Sequence, residues 1–124
     1  LGIISDTGFS PGSVLRQLME RFSILEYFKA FSFSNETGVA KPHPDAYLKI
    51  LNEMNCLPQN AIHIGDIEET DIDGAKNLQM KAIRFIGNHL DFLNEDSEFH
   101  TKADFVATSW HEIPKIIDTI ESNE

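Results

Sequence analysis

Short apolar runs alternate along this chain with segments whose apolar residues recur at helical spacing, and that alternation restricts the fold more than any other feature. "LGIIS" (1–5) reads as a buried strand entering the polar "SDTG", and "AFSFS" (30–34) as a second strand, more exposed than the first because apolar and polar residues alternate in it. "AIHI" (61–64), "KAIRFI" (81–86) and "DFVAT" (104–108) complete the set of predicted strands.

Between them, "SPGSVLRQLMERF" predicts a helix with Ser10 as N-cap, Pro11 at the first helical position, and Val14, Leu15, Leu18, Met19 and Phe22 on one face. "NETGVAKPHPDAY" is a loop punctuated by Gly and Pro, leading to a helix with Tyr47, Ile50, Leu51 and Met54 in line. "TDIDGAKNLQ" turns Ile72, Ala75 and Leu78 or Gln79 inward, and "SWHEIPKIIDTIE" does the same with Ile113, Ile116, Ile117 and Ile120, with Trp110 packing at its start. Residues 87–102 read as a surface loop holding a helical turn around "LDFL".

Strands alternating with helices imply parallel βαβ units, hence an α/β fold: a three-layer, Rossmann-like, doubly wound, mainly parallel sheet. With 124 residues and no repeat, low-complexity tract or linker, one domain over 1–124 is expected.

Charge narrows the partners. Twenty acidic against ten basic residues give −10, which repels phosphate backbones and anionic lipid, so neither nucleic acid nor membrane is expected. No run approaches the roughly 20 apolar residues that span a bilayer. A cation, or an anion bridged by one, suits this balance better. Cys56 is alone, which excludes an internal disulfide and favours a reducing, cytoplasmic setting. His43, His63, His89, His100 and His111 lack the paired spacing of a zinc site, and His63, inside a strand, reads as a satisfied half-buried residue.

Ligands of doubly wound sheets bind beyond the carboxyl ends of the strands. There the sequence places Ser5, Asp6 and Thr7 after the first strand, Lys41 in the loop beyond the second, and Asp66 after the third. A hydroxyl, an ammonium and a carboxylate suit an oxyanion with a divalent metal: Ser5 donates to the oxyanion, Lys41 neutralises it, and Asp66 offers hard oxygen to Mg²⁺. Asp71, five residues further on, can brace the metal's waters, whereas Glu68, Glu69 and Asp73 are assigned to a solvated face.

In these motifs the chain resembles the haloacid dehalogenase-like hydrolases, most of which are Mg²⁺-dependent phosphatases. "LGIIS" with Ser5 looks like the family's second motif, "GVAKPHPDAY" with Lys41 like its third, and "IHIGDIEETDIDGA" with Asp66 and Asp71 like its fourth; "ADFVATSWHEIPKII" resembles the closing strand and helix. The resemblance implies Ser5 and Lys41 as catalytic groups; Asp6 and Thr7 read as loop residues, one of whose backbone N–H groups reaches phosphate. It further implies Asp66 and Asp71 at Mg²⁺, and a small phosphorylated substrate turned over through an aspartyl-phosphate. A signalling receiver domain is excluded by order, since its acids precede its Lys.

The family's first motif, an apolar strand ending Asp-x-Asp, has no counterpart here. "DIDG" (71–74) follows Glu68, Glu69 and Thr70 rather than a buried strand, and "SDTG" has Ser5 where the nucleophilic Asp should stand. The expectation is a partial core domain, truncated before its nucleophile strand and any substantial cap, and inactive as it stands. The alternative is a non-catalytic relative that binds metal or a partner. By family analogy the nucleophile strand lies between the strands ending at Ser5 and Ile64, so a homodimer or strand exchange at the edge left open is expected.

Overall fold

The computed structural model describes residues 1–87 and 100–124; His89 and the expected turn around "LDFL" lie outside the described residues. The chain is α/β with parallel strand pairing throughout the described sheets, and it divides into two compact units, Leu1–Ala61 and Ile62–Glu124.

In the first unit, β1 (Gly2–Ser5) pairs in parallel with β2 (Ala30–Phe33), Ser5 standing opposite Phe33 at the carboxyl ends. Helix α3 (Pro44–Glu53) lies against both strands and buries Tyr47, Ile50 and Leu51, as its spacing predicts, together with Ala46, whereas Met54, expected in the same line, is exposed. On the other side, Arg16 of α1 (Gly12–Arg21) stacks over the rings of Phe31 and Phe33, 5.0 and 4.8 Å from their centroids. It also forms a two-bonded ion pair with Glu36 at 2.6 and 2.8 Å. That pairing holds the Glu36 carboxyl below its ordinary range.

Several expectations need correction here. β2 is the more buried strand, with Ala30, Ser32 and Phe33 inaccessible, because helices cover both its faces and alternation then no longer reports exposure. Helix α1 begins one residue late: Pro11 is its N-cap, in extended conformation, and no side chain of its own caps it. The cap comes instead from Asn35, whose Oδ1 accepts the Gly12 N–H at 3.0 Å. Of the expected inward face of α1 only Met19 is buried, and Val14, Leu18 and Phe22 are exposed. The strand at 30–34 stops at Phe33, and Ser34–Thr37 forms the single turn α2, closed by Gly38 at φ 78°, a left-handed conformation that glycine adopts without penalty.

In the second unit, β3 (Ile62–Gly65), β4 (Lys81–Phe85) and β5 (Phe105–Ala107) form a parallel sheet in that order. A π-helical turn, Glu68–Ile72, leads into α4 (Asp73–Asn77), with Ile72 and Ala75 buried as expected. Helix α5 (Ile113–Ser122) packs Ile113 and Ile120 with Ile83, Phe85 and Ala107, with Ile116 and Ile117 alongside. Trp110 stays largely exposed yet stacks on Phe85 at 4.6 Å. Ser109 and Glu112 form a reciprocal capping box ahead of α5. The accepted N–H groups of Thr108 and Ser109 hold the Glu112 carboxyl below its ordinary range.

Candidate functional site

The carboxyl ends of β1 and β2 are laced together by short polar bonds. Asp6 Oδ1 accepts the backbone N–H of Lys41 at 3.0 Å, joining the loop after β1 to the one that carries the lysine. Thr7 donates its N–H to Ser34 Oγ at 2.7 Å and its hydroxyl to Asn35 Oδ1 at 2.7 Å, and accepts the Asn35 N–H at 2.9 Å. Ser5, half-buried at the last position of β1, is therefore followed by a loop fixed at two successive residues. Lys41 is half-buried and is joined to Pro42 by a cis peptide bond.

The two residues after Ser5 hold the loops together. The Asp6 carboxylate holds the Lys41 backbone. The Thr7 N–H is engaged with Ser34, so Thr7 acts within the loop that carries Ser5. Ser34 and Asn35 are missing from the sequence candidates although they follow β2 directly, where the strand-end rule looks for functional residues.

At the carboxyl end of β3 the acidic run resolves into separate tasks. Asp71, 2% exposed, turns back over the strand end, and its Oδ2 accepts the N–H groups of Asp66 and Ile67, both at 3.1 Å. Its Oδ1 lies 3.1 Å from His63 Nε2. Since an ionised carboxylate only accepts, the Nε2–H donates. Gly65 makes this possible: a Cβ there would fall 2.2 Å from Asp71 Cγ. Asp66 is thus half-buried on a backbone held by Asp71, just past the sheet.

Glu68 departs from the solvated role expected of it. The π-helical turn brings it back to β4, where it pairs with Arg84 at 2.8 Å and accepts from the Thr101 hydroxyl and the Lys102 N–H, each at 2.7 Å. Asp73 likewise meets Lys102 Nζ at 2.8 Å, while Glu69 is exposed as expected. His63 is half-buried and satisfied, in keeping with its sequence reading; its partner Asp71 could not be read from spacing.

The donors fit Mg²⁺ in kind. Magnesium takes one or two carboxylates and completes its shell with water and phosphate oxygen. Asp66 could supply one such carboxylate, while the Asp71 oxygens are engaged with His63 and with the N–H groups of Asp66 and Ile67. Among the described residues no group of three or more His, Cys, Asp or Glu is arranged to hold a metal. Nor is any described helix long and apolar enough to cross a membrane.

The chain is 34% identical over 122 residues to a glyceraldehyde 3-phosphate phosphatase of Pyrococcus furiosus, covering 97% of this chain and 47% of that protein. It is 30% identical over 76 residues to a phosphoglycolate phosphatase of Escherichia coli K12, covering 61% of this chain and 29% of the relative. The chain thus spans about half the length of the first and under a third of the second. A putative HAD hydrolase of Bacillus subtilis, bound to magnesium, superposes with a TM-score of 0.76 over 95% of this chain and 49% of its own, at 16% identity, a likeness of fold alone. Residues 1–85 match the family described as haloacid dehalogenase-like hydrolase, and the chain belongs to that family.

Proposed function

We propose that these 124 residues are the phosphate- and Mg²⁺-binding part of a phosphatase acting on a small phosphorylated metabolite. The observation that carries the reading is the turn after β3, where Asp71 grips two successive N–H groups and so fixes the backbone bearing Asp66. The names of the Pyrococcus and Escherichia relatives support a small phosphate ester as substrate, and the magnesium in the Bacillus structure supports the metal.

Bound at Asp66, Mg²⁺ would neutralise phosphate charge and polarise the phosphoryl oxygen. The Ser5 hydroxyl donates to a phosphate oxygen, and the Lys41 ammonium neutralises charge that develops there. Asp6 holds the Lys41 backbone in place, and Thr7, through Ser34 and Asn35, steadies the loop beyond Ser5. No Asp-x-Asp follows an apolar strand in these residues, so they bind and orient rather than attack. By family resemblance turnover runs through an aspartyl-phosphate on that motif, and this stretch expressed alone releases no phosphate. The lone thiol Cys56 supports a cytoplasmic setting. β1 pairs with one neighbour among the described residues, so a homodimer or strand exchange at its other edge belongs to the proposal; light scattering showing only monomer would remove it.

Phosphate release from small phosphate esters by the protein at its natural length tests the roles. Lys41→Ala and Ser5→Ala are each expected to lower kcat/KM by about 10²–10³. Unchanged values in both would overturn the assignment.

A further inference from the structure

The buried contact between His63 and Asp71 has no part in the roles assigned so far. Their side chains are 13% and 3% exposed, and the 3.1 Å bond leaves Asp71 Oδ2 directed at the N–H groups of Asp66 and Ile67. The His63 ring thus secures one carboxylate oxygen while the backbone secures the other, and the carboxylate plane can no longer rotate away from the turn. Asp66 lies at the far end of this relay. Without the Nε2–H donor, a nearly inaccessible Asp71 oxygen loses this hydrogen bond and the carboxylate is held less firmly against the turn.

We propose that His63 is a positioning residue for divalent-cation binding: through Asp71 it sets the backbone of Asp66 and Ile67, and with it the direction in which Asp66 offers its oxygens. The inference rests on Asp66 as the Mg²⁺ ligand. His63 itself touches neither metal nor substrate. Its function needs a donor at the Nε2 position, which neutral and protonated imidazole both provide.

The test titrates Mg²⁺ into the protein at its natural length by calorimetry and records the amide resonances of Asp66 and Ile67. Three variants serve: His63→Phe, which keeps volume and removes the donor; His63→Gln, which returns an N–H near the Nε2 position; and Asp66→Asn. His63→Phe is expected to weaken Mg²⁺ binding about 10–100-fold. The Asp66 and Ile67 amides should shift upfield in it, and His63→Gln should restore both to within about threefold of the native affinity. If His63→Phe fails to fold, His63→Met takes its place with the same expectation.

Native affinity and native amide shifts in His63→Phe, with Asp66→Asn unable to bind, would overturn the positioning role and leave Asp66 as ligand. Native Mg²⁺ affinity in Asp66→Asn would overturn the ligand assignment and the inference with it. Weakened binding that His63→Gln does not relieve would also overturn it, because the effect would then come from packing rather than from the donated bond.

Discussion

At Gly65 the backbone passes so close to Asp71 that a single methyl group decides whether the turn can close. The Cβ of an alanine would lie 2.2 Å from the Asp71 Cγ and 2.5 Å from its Oδ2, far inside van der Waals contact, so the carboxylate or the strand end has to move. Gly65→Ala is expected to cost about 1–3 kcal/mol of stability, read as a lower urea midpoint; a loss below about 0.5 kcal/mol would show that Asp71 does not need this approach. The residue types were legible in the sequence: a Gly-Asp after an apolar strand and a second Asp five positions on mark the place. Their directions were not. That Asp71 folds back over Gly65, that His63 meets it, and that Glu68 leaves the solvent for Arg84 all depend on the π-helical turn, whose wider winding a 3.6-residue period does not anticipate.

Among the elements, Asp104 shows how a charge at the start of β5 ties neighbouring elements of the second unit together. Its carboxylate accepts from Lys76 of α4 at 2.8 and 3.1 Å and from the Ala82 N–H of β4 at 2.8 Å. Burial pushes its pKa up, but these bonds outweigh burial and hold it below the ordinary 3.8. A group depressed in the folded state binds its proton more readily unfolded. Its stabilisation is therefore complete above the unfolded value and is lost as pH falls through the folded one. Asp104→Asn is expected to cost about 1 kcal/mol at neutral pH, with the gap from the native protein closing below about pH 4 in urea titrations. A gap constant with pH would assign the loss to packing. The order and type of the main strands and helices were legible, because period 2 and period 3.6 differ plainly in "AFSFS" and "SWHEIPKIIDTIE". Helix ends were less so. α1, α3 and α4 stop at left-handed Ser23, Asn55 and Gln79 rather than at glycine, and α1 borrows its cap from Asn35, a partner distant in sequence.

For the whole molecule, the order of Ser5, Lys41 and Asp66 along the chain exposed the family before any contact was known. Each residue terminates or follows a strand, the position where ligands of doubly wound sheets bind. Family membership and the α/β fold rest on matches extending over most of the chain. The bracing residues, Asn35 and His63 above all, came only from the structure, since their partners lie in other elements. The claim that joins these scales is that Asp66 holds Mg²⁺ for phosphate-ester hydrolysis. Phosphate release from small phosphate esters by the protein at its natural length, measured with and without Mg²⁺ for the native chain and Asp66→Asn, tests it most directly. Release that requires Mg²⁺ and falls by about 10²-fold or more in the variant is the expected result. Equal release by both proteins, or release indifferent to Mg²⁺, would contradict it.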